Sequence, residues 1–362
     1  MDKIKILFIS RAYPPVVGGI ENQNYELFTW LSKLAIVEKI INTRGKRFLP
    51  LFLPYATIKA LFLAHRSDVV VLGDGVLAGV GWAIKLFCKK PVLCVVHGLD
   101  LTFTSTIYQK LWVHFFISRM DKLIAVGNET IRVGISKGIA KEKFVFIPNG
   151  VDTEKNIREK SPSDLEKILG KNLAGKKILL TSGRLAKRKG AAWFVRNVMP
   201  KLNKEILYVI AGEGPDRENI EHAIREYNLS RRVIMLGYVN DDTRNILLNN
   251  SDLFLQPNIK VVGDMEGFGI SVIEAGACGL PVIASSLEGL KDAIKDGENG
   301  FLLESGNAPA FVEKIHAILS HEPERAAFGE KSKGFVIKHF SWKEIAQAYL
   351  HEITIAINRT KA

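Results

Sequence analysis

The sequence predicts an α/β protein with parallel sheets, built as two domains. Short apolar runs alternate with stretches of helical pattern along the chain, and this alternation is typical of βαβ units. Most of the apolar runs end in Gly, Pro, Ser or His, which suit the ligand-binding loops that follow parallel strands. At 362 residues the chain is too long for one ordinary core, so we expect two domains.

The strand candidates form two sets, one in each half of the chain. The first set covers 4–9, 69–72, 92–96, 123–126 and 144–147. The second set covers 178–182, 207–211, 233–236, 253–256, 281–284 and 300–303. Between them the sequence over 152–177 turns polar and charged, as domain linkers do. We predict domains over 1–155 and 156–341, followed by an amphipathic helix within 342–362 that Ser341 caps.

Composition indicates a globular protein of a reducing compartment. The apolar fraction is 47% and the charged fraction is 24%, which argues against a disordered chain. The three cysteines (Cys88, Cys94 and Cys278) are odd in number and form no C-x-x-C pair. This pattern argues against a disulfide framework and against a zinc site.

The sequence shows no evident signal peptide or membrane span. Residues 1–10 resemble a first strand rather than a targeting segment. The stretch 69–84 is nearly uncharged, but Asp74 and several glycines interrupt it, and it is shorter than the roughly 20 residues that cross a bilayer. We expect a strand and a buried helix there, in a cytoplasmic protein.

The net charge of +12 is concentrated in the N-terminal part, where residues 1–150 contain 20 Lys and Arg against 10 Asp and Glu. Either this is a basic soluble surface, or it meets an anionic partner such as a phospholipid bilayer or a pyrophosphate-bearing acceptor. A stripe of aromatic residues on one helical face is likewise either core or a membrane anchor; it comprises Tyr108, Trp112, Phe115 and Phe116, with Arg119. No aromatic–basic module indicates a nucleic-acid partner.

Two stretches of the second half suit a sugar nucleotide. After the strand 178–182 comes a loop with four cations, 183–190, which enters a helix. Arg184 can fork onto two phosphate oxygens, and Lys189 can act as a point charge. In 265–283, Glu266 and Glu274 stand on either side of a predicted helix N-terminus. Amides at such a terminus suit phosphate, and carboxylates accept hydrogen bonds from sugar hydroxyls.

Other strand ends carry weaker signals: the loops are equally compatible with ordinary turns, and a lone histidine at such an end is more often structural than catalytic. His97 ends the strand 92–96 and points to the carboxyl edge of its sheet. Gly18 and Gly19 follow the first strand, without the G-x-G-x-x-G pattern of dinucleotide sites. Gly212 and Val239 lie in loops that suit a nucleobase pocket.

Motifs of several other enzyme classes are absent. The sequence contains no P-loop and no H-E-x-x-H. The histidines are scattered and no Asp-x-Asp cluster occurs, so we predict no metal. A phosphate-binding enzyme of this kind neutralises its leaving group with its own cations.

Taken together, these stretches resemble the retaining glycosyltransferases of family 4. The resemblance runs in that family's order across nearly the whole chain. It is carried by Gly18-Gly19, Pro148-Asn149-Gly150-Val151-Asp152, Gly183-Arg184 with Lys189-Gly190, and Glu266 with Glu274 around Gly267-Phe268-Gly269. It implies a GT-B fold, in which two Rossmann-like domains face each other across a cleft and the last helix crosses back to the first domain.

The resemblance also implies roles for these residues. Arg184 and Lys189 would bind the donor diphosphate, with the amides of Phe268, Gly269 and Ile270. Glu274 would bind the ribose, Glu266 a hydroxyl of the transferred sugar, and His97 would lie near that sugar. Gly18 and Gly19 would approach the diphosphate from the opposite domain. The donor-site prediction comprises Gly18, Gly19, Gly183, Arg184, Lys189, Gly212, Val239, Glu266, Gly267, Phe268, Gly269, Ile270 and Glu274; the catalytic prediction comprises His97, Arg184, Lys189 and Glu266.

The first domain departs from the family pattern. Residues 34–41 show little of the usual second strand, so this domain looks abbreviated, and Gly127-Asn128 replaces a Ser that often opens a helix. These departures concern the acceptor side and leave the donor site intact.

The leading hypothesis is transfer of a hexosyl unit from a nucleotide diphosphate sugar to an acceptor hydroxyl. The transfer would retain the anomeric configuration, need no metal or other cofactor, and serve cell-envelope polysaccharide or glycolipid synthesis. The acceptor would be a glycan or a lipid-linked sugar, and the basic first domain would contact the inner face of the cytoplasmic membrane. Two alternatives remain: a GT-B nucleotide-sugar epimerase, and a non-catalytic nucleotide-sugar-binding protein.

Overall fold

The structure, a computed structural model, describes residues 3–16, 18–153 and 161–361. The chain separates into two compact units, called here the N-terminal unit (Met1–Gly150 with Trp342–Ala362) and the C-terminal unit (Val151–Ser341). The predicted boundary at 155/156 lies outside the described residues. The last helix belongs to the same unit as the first half of the chain.

The N-terminal unit contains a six-stranded parallel sheet in the order β2-β1-β3-β4-β5-β6. Its strands are β1 (Lys5–Ser10), β2 (Ile36–Ile41), β3 (Val69–Leu72), β4 (Val92–Val96), β5 (Lys122–Ala125) and β6 (Phe144–Phe146). Its helices are α1 (Gly19–Leu34), α2 (Leu49–Ala64), α3 (Ala78–Cys88), α4 (Gly98–Thr102), a π-helix (Tyr108–Phe116), α5 (Asn128–Ser136) and, from the end of the chain, α14 (Trp342–Lys361).

Helices cover both faces of this sheet, as the apolar strands require. One core layer joins sheet residues such as Leu7 and Ile9 to α2, α3 and the π-helix. The other joins Ile6 and Phe8 to α1 and α14. Strand residues alternate between the two layers because successive side chains point to opposite faces.

The expectation that the usual second strand is largely missing is wrong, because β2 is a complete strand. It pairs in parallel with β1 over all six of its residues, from Ile36 opposite Lys5 to Ile41 opposite Ser10. It lies at the edge of the sheet and most of its residues are exposed or half-buried. An edge strand faces water and therefore tolerates charged residues such as Glu38 and Lys39. Because of these two residues, β2 is not a continuous apolar run in the sequence.

The C-terminal unit contains a second six-stranded parallel sheet, in the order β12-β11-β10-β7-β8-β9. Its strands are β7 (Lys177–Ser182), β8 (Ile206–Ala211), β9 (Val233–Gly237), β10 (Leu253–Gln256), β11 (Val282–Ser285) and β12 (Phe301–Leu303). Its helices are α6 (Pro162–Leu169), α7 (Ala191–Asn197), α8 (Arg217–Glu226), α9 (Asp241–Asn250), α10 (Ile270–Ala277), α11 (Leu290–Ala293), α12 (Ala308–Ser320) and α13 (Glu322–Phe340). The predicted α/β architecture with two Rossmann-like domains is confirmed.

Each sheet has a point at which the strand order reverses. In the C-terminal unit it lies between β7 and β10, and in the N-terminal unit between β1 and β3. The loops that leave such neighbouring strands run in opposite directions and open a crevice at their carboxyl ends, where α/β proteins bind ligands. The predicted donor-site loops follow β7 and β10, so the topology places them together.

Candidate active site

The loop after β7 is seated directly on the loop after β10. Gly190 ends the cationic loop with φ of +71°, and a Cβ at this position would lie 1.9 Å from the carbonyl oxygen of Pro257. The Ile259 amide donates to the carbonyl of Arg188 at 2.8 Å. Only glycine meets both conditions at position 190, because it adopts positive φ without strain and has no Cβ.

This contact brings the predicted cation and the predicted carboxylate together. The Nζ of Lys189 lies 2.7 Å from Oε2 of Glu266, and both side chains are largely buried. Asn258 donates to the same carboxylate oxygen at 3.2 Å. The Arg188 guanidinium lies 3.7 Å from it. Burial alone would raise the pKa of Glu266, but the charges of Lys189 and Arg188 outweigh it, so that its pKa is lowered and the carboxyl is ionised at neutral pH.

The cations of this loop have different surroundings. Arg188 donates to both oxygens of Asp264, at 3.1 and 3.2 Å, and so anchors the loop. Arg184 is exposed, and its side chain forms no ion pair with the part of the chain that the structure describes. Arg184 is therefore available to meet an anionic ligand, as the sequence predicts.

The loop before α10 is fixed by its side chain and by its backbone. Phe268 is buried and packs against Phe340, with ring centroids 5.7 Å apart. Gly269 precedes the helix with φ of +91°, and a Cβ there would lie 2.7 Å from Leu290. These contacts fix the N-terminus of α10, which is formed by Gly267, Gly269 and Ile270. The free amides and the positive dipole end of a helix N-terminus suit a phosphate group.

A third loop, after β11, holds the backbone of Glu266. The Glu266 amide donates to Oε2 of Glu288 at 2.6 Å, and the Gly289 amide donates to the Glu266 carbonyl at 3.1 Å. Glu288 adopts φ of +47°, which is unfavourable for a residue with a Cβ. No local sequence pattern marks Glu288, because its role depends on a contact across 22 positions of the chain.

Glu274 lies in α10 and is paired with a cation. Its Oε1 is 3.3 Å from Nη1 of Arg244, a residue of α9. The predicted ribose-binding carboxylate is thus oriented by Arg244, a residue that no motif in the sequence marks.

Three further donor-site predictions, Gly183, Gly212 and Val239, lie along the carboxyl edge of the same sheet. Gly183 and Gly212 follow the neighbouring strands β7 and β8, and their backbones approach so closely that a Cβ on Gly212 would lie 1.9 Å from the Gly183 carbonyl oxygen. Val239 follows β9 and lines a pocket of about 430 Å³ with Ile168, Leu236, Tyr238, Asn240 and Thr243. Its walls combine the apolar side chains of Ile168, Leu236 and Val239 with polar ones, a combination that suits the faces and edges of a nucleobase.

His97 belongs to a buried polar cluster of the N-terminal unit, at the carboxyl ends of β1, β3 and β4. Arg11 Nε donates to Oδ1 of Asp74 at 3.0 Å. Asp100 accepts from the amides of Gly75 and His97 at 3.1 and 2.9 Å. Within the described residues, the buried Nε2 of His97 and Oδ2 of Asp74 have no hydrogen-bond partner.

Burial sets the ionisation of this cluster. It lowers the pKa of His97 to about 4, although Asp74 acts in the opposite direction. It raises the pKa of Asp74 to about 6 despite the charge of Arg11. The imidazole is therefore neutral at physiological pH, with one ring nitrogen ready for a hydrogen bond.

The paired glycines stand at the start of α1. Gly19 is its first residue and Gly18 its N-cap. A Cβ on Gly18 would lie close to the Glu21 carboxylate, 2.1 Å from its Oε2. Gly18, Gly19 and His97 all lie in the N-terminal unit, and their predicted relation to the donor remains a prediction.

The aromatic stripe packs within its own unit. Trp112 donates from Nε1 to the Val76 carbonyl at 2.8 Å, and Phe115 and Phe116 pack on Trp82 with ring centroids 5.8 and 5.7 Å apart. This favours the interpretation of the stripe as core over that of a membrane anchor.

In the part of the chain that the structure describes, no group of three His, Cys, Asp or Glu side chains is arranged to hold a metal ion. Independence from metals nevertheless remains a prediction for this protein.

Two family models match successive parts of the chain. The model of glycosyl transferases group 1 matches residues 165–335, and that of glycosyltransferase family 4 matches residues 13–155. An uncharacterized glycosyltransferase of Methanocaldococcus jannaschii is 25% identical over 98% of this chain and 99% of its own length.

Further relatives agree with the family models. An Escherichia coli enzyme, UDP-Gal:α-D-GlcNAc-diphosphoundecaprenol α-1,3-galactosyltransferase, is 30% identical over 69% of this chain and 64% of its own length. The crystal structure of Anabaena HepE in complex with UDP superposes with a TM-score of 0.78 at 20% identity, over 97% of this chain and 100% of that one. The chain therefore belongs to glycosyltransferase family 4, with the GT-B fold, as its motifs indicated.

Proposed function

We propose that the protein transfers a hexosyl unit from a nucleotide diphosphate sugar to an acceptor hydroxyl, with retention of the anomeric configuration and without a metal ion. The contact between the cationic loop and the carboxylate loop carries this proposal. Lys189 lies 2.7 Å from Glu266, just before α10 begins. A diphosphate and a sugar hydroxyl are recognised by this combination of cation, helix N-terminus and ionised carboxylate.

The leaving diphosphate would be stabilised by Arg184, Lys189 and the amides before α10. Lys189 and these amides are held in place before reaction, and fixed charges of this kind stabilise developing charge most effectively in a desolvated site. Glu266 is not positioned as an acid, because its lowered pKa keeps it ionised. It serves instead as a hydrogen-bond acceptor for the transferred sugar, and Glu274 serves the ribose.

Arg184 offers a clean test. Its side chain is exposed, so Arg184→Ala should fold normally and lose about a hundredfold in transfer rate, the typical cost of one transition-state contact. Lys187→Ala, in the same loop and also exposed, is the matched control and should retain activity. Full turnover by Arg184→Ala would contradict the proposal.

The donor, the stereochemistry and the metal requirement need separate measurements. A thermal-shift panel of UDP-, GDP- and ADP-sugars should give one clear responder, because a bound donor stabilises the folded state.

The NMR coupling of the product's anomeric proton should show the configuration of the donor, and transfer should persist in excess EDTA. Inversion, or loss of activity with EDTA that added metal restores, would overturn the corresponding part of the proposal.

We extend the proposal to a lipid-linked acceptor in cell-envelope or glycolipid synthesis, at the inner face of the cytoplasmic membrane. Two observations support it. The E. coli relative is named for a diphosphoundecaprenol-linked acceptor, and residues 1–150 carry twice as many Lys and Arg as Asp and Glu (20 against 10). A polyprenyl acceptor resides in a bilayer, so its enzyme must reach an anionic surface.

A further inference from the structure

Helix α2 is apolar on both faces, although only one face is buried. The buried face packs in the core beneath the sheet and consists of Phe52, Ala56, Ala60 and Ala64. The opposite face points outward and consists of Leu51, Tyr55, Ile58 and Phe62. Leu51 and Phe62 are 73% and 74% exposed. A helix on the surface of a soluble domain normally has a polar outer face. The exposed apolar face of α2 therefore indicates contact with a partner.

The apolar surface continues onto α3. The C-terminal turns of α2 and α3 touch, since Sγ of Cys88 lies 3.6 Å from the Leu61 carbonyl oxygen. Beside this contact Leu86 and Phe87 are exposed, Phe87 by 67%. We call Leu51, Tyr55, Ile58, Phe62, Leu86 and Phe87 the α2–α3 face. Exposed apolar patches shared by two elements mark interaction sites.

The two segments that form this face are basic and contain no acidic residues. Residues 46–66 contain four Lys and Arg and no Asp or Glu, and residues 75–91 contain three Lys and no Asp or Glu. Lys85 is neutralised locally by Asp121. Of the other cations, Lys46, Arg47 and Arg66 flank the apolar residues of α2, Lys59 lies among them, and Lys89 and Lys90 follow those of α3.

We propose that the α2–α3 face docks on an anionic bilayer, with its apolar side chains in the interfacial region and the flanking cations on lipid phosphates. This rests on the membrane contact in the proposed function and assigns it to side chains of α2 and α3 rather than to the aromatic stripe of the π-helix. A basic rim around exposed Leu, Ile and Phe is the combination by which interfacial helices bind anionic lipid.

The packing of α2 specifies how it meets the membrane. By length and composition alone, Lys46–Ala64 is long and apolar enough to cross a bilayer. However, its alanine-lined face is part of the unit's core, and α2 connects two parallel strands of the same sheet. In this fold the helix therefore lies along the surface and meets lipid with one side.

A second copy of the chain fits this surface less well. A symmetric contact through the α2–α3 face would place the same cations opposite one another, without acidic residues in 46–66 or 75–91 to pair with them. Like charges brought together in this way oppose association. An anionic lipid surface neutralises the same charges.

Co-sedimentation with vesicles tests the proposal. The intact protein should bind phosphatidylglycerol–phosphatidylcholine vesicles at low salt, and bind phosphatidylcholine vesicles much more weakly. The double variants Ile58→Gln/Phe62→Gln and Lys59→Glu/Lys90→Glu should each lower the partition coefficient by about tenfold or more. The matched control, Tyr227→Gln/Ile337→Gln, changes two exposed side chains of the C-terminal unit and should bind normally.

Three results would overturn the proposal: no binding to anionic vesicles at low salt, unchanged binding by the variants, or a dimer that the Ile58/Phe62 variant converts to a monomer. Failure of the docking proposal can be told apart from failure of the proposed function. Thermal unfolding of each variant is measured with and without the nucleotide sugar that stabilises the wild-type protein. Donor stabilisation without vesicle binding would reject the docking surface alone. Vesicle binding without donor stabilisation would reject the transferase proposal and leave the surface intact.

Discussion

Lys189 and Glu266 form a buried ion pair in which Nζ and Oε2 are 2.7 Å apart. The cation assigned to the donor diphosphate and the carboxylate assigned to the transferred sugar therefore hold each other in place. Three further side chains surround the pair. Asp264 accepts a hydrogen bond from Arg188, and Asn258 donates one to the Glu266 carboxylate. Glu288 accepts a hydrogen bond from the Glu266 amide. The C-terminal unit thus builds its donor site as one connected network.

The first prediction separates the structural role of the pair from its catalytic role. Lys189→Met should lower the transfer rate about a hundredfold or more. It should also lower the free energy of unfolding by about 3 kcal/mol, because it leaves a buried carboxylate short of its main partner. Adding Glu266→Gln should restore much of the stability and none of the activity. Urea unfolding and transfer assays measure both, with Lys187→Met as the control. A double variant as unstable as the single one would show that the pair does not carry this stability.

The second prediction is that the stability contributed by Glu266 depends on pH. Because the pKa of Glu266 is lowered in the folded protein, its ion pair contributes stability above the ordinary glutamate pKa of about 4.3. That contribution is lost as the pH falls through the folded pKa. The free-energy difference between wild type and Glu266→Gln should therefore be present at pH 6 and shrink in strong acid. Urea titrations of both proteins check this, and a difference that does not change with pH would contradict it.

The third prediction concerns Glu288, which combines a positive φ with a hydrogen bond to the Glu266 amide. Glu288→Gly should relieve backbone strain of about 1 kcal/mol and lose the hydrogen bond, so that stability changes little. The donor KM should nevertheless rise several-fold, because the Glu266 loop is no longer held. Glu288→Gln retains an acceptor oxygen and should restore the KM. Wild-type kinetics in Glu288→Gly would show that the hydrogen bond does not position the site.

The fourth prediction concerns His97. Burial lowers its pKa to about 4, so the imidazole should show no titration between pH 8 and 5.5. Proton NMR can follow this, with His97→Gln used to assign the signal. Because the pKa of His97 is lower in the folded protein, the unfolded chain takes up a proton first as the pH falls, and the free energy of unfolding decreases. The pKa of Asp74 is raised in the folded protein, so protonation of Asp74 increases the free energy of unfolding as the pH falls. A midpoint near 6.5, the ordinary histidine pKa, would show that the ring is solvated.

Most of the strands were predictable from sequence, because buried parallel strands are continuous apolar runs bounded by turn residues. The exception was β2, whose edge position admits Glu38 and Lys39. The outer face of α2 was missed for a different reason. A helix that is apolar all round looks like a core helix in sequence, and its exposure becomes visible only in three dimensions.

The same distinction applies to the candidate site. Lys189 and Glu266 were found because each lies in a contiguous motif. Arg244 and Glu288 were missed because each acts through a contact between elements that are distant in sequence. No local pattern marks such residues, since the topology of the sheet alone brings their loops to one edge.

The last prediction concerns Gly190, where backbone conformation and close contact both exclude a side chain. Gly190→Ala would have to relieve a Cβ 1.9 Å from the Pro257 carbonyl oxygen, in addition to its φ of +71°. Gly175→Ala is the matched control, because Gly175 has φ of +70° and a Cβ added there would meet nothing within 4 Å. The control should cost about 1 kcal/mol, the usual penalty for left-handed backbone.

Gly190→Ala should cost about 3 kcal/mol or more, because the clash with backbone can be relieved only by moving the loop. That movement would also displace Lys189 from Glu266, so the transfer rate should fall in the fraction that remains folded. Urea unfolding of the two variants gives the comparison directly. Equal costs for Gly190→Ala and Gly175→Ala would mean that the β7 loop is not seated on Pro257, and the coupling of loop packing to the ion pair would have to be abandoned.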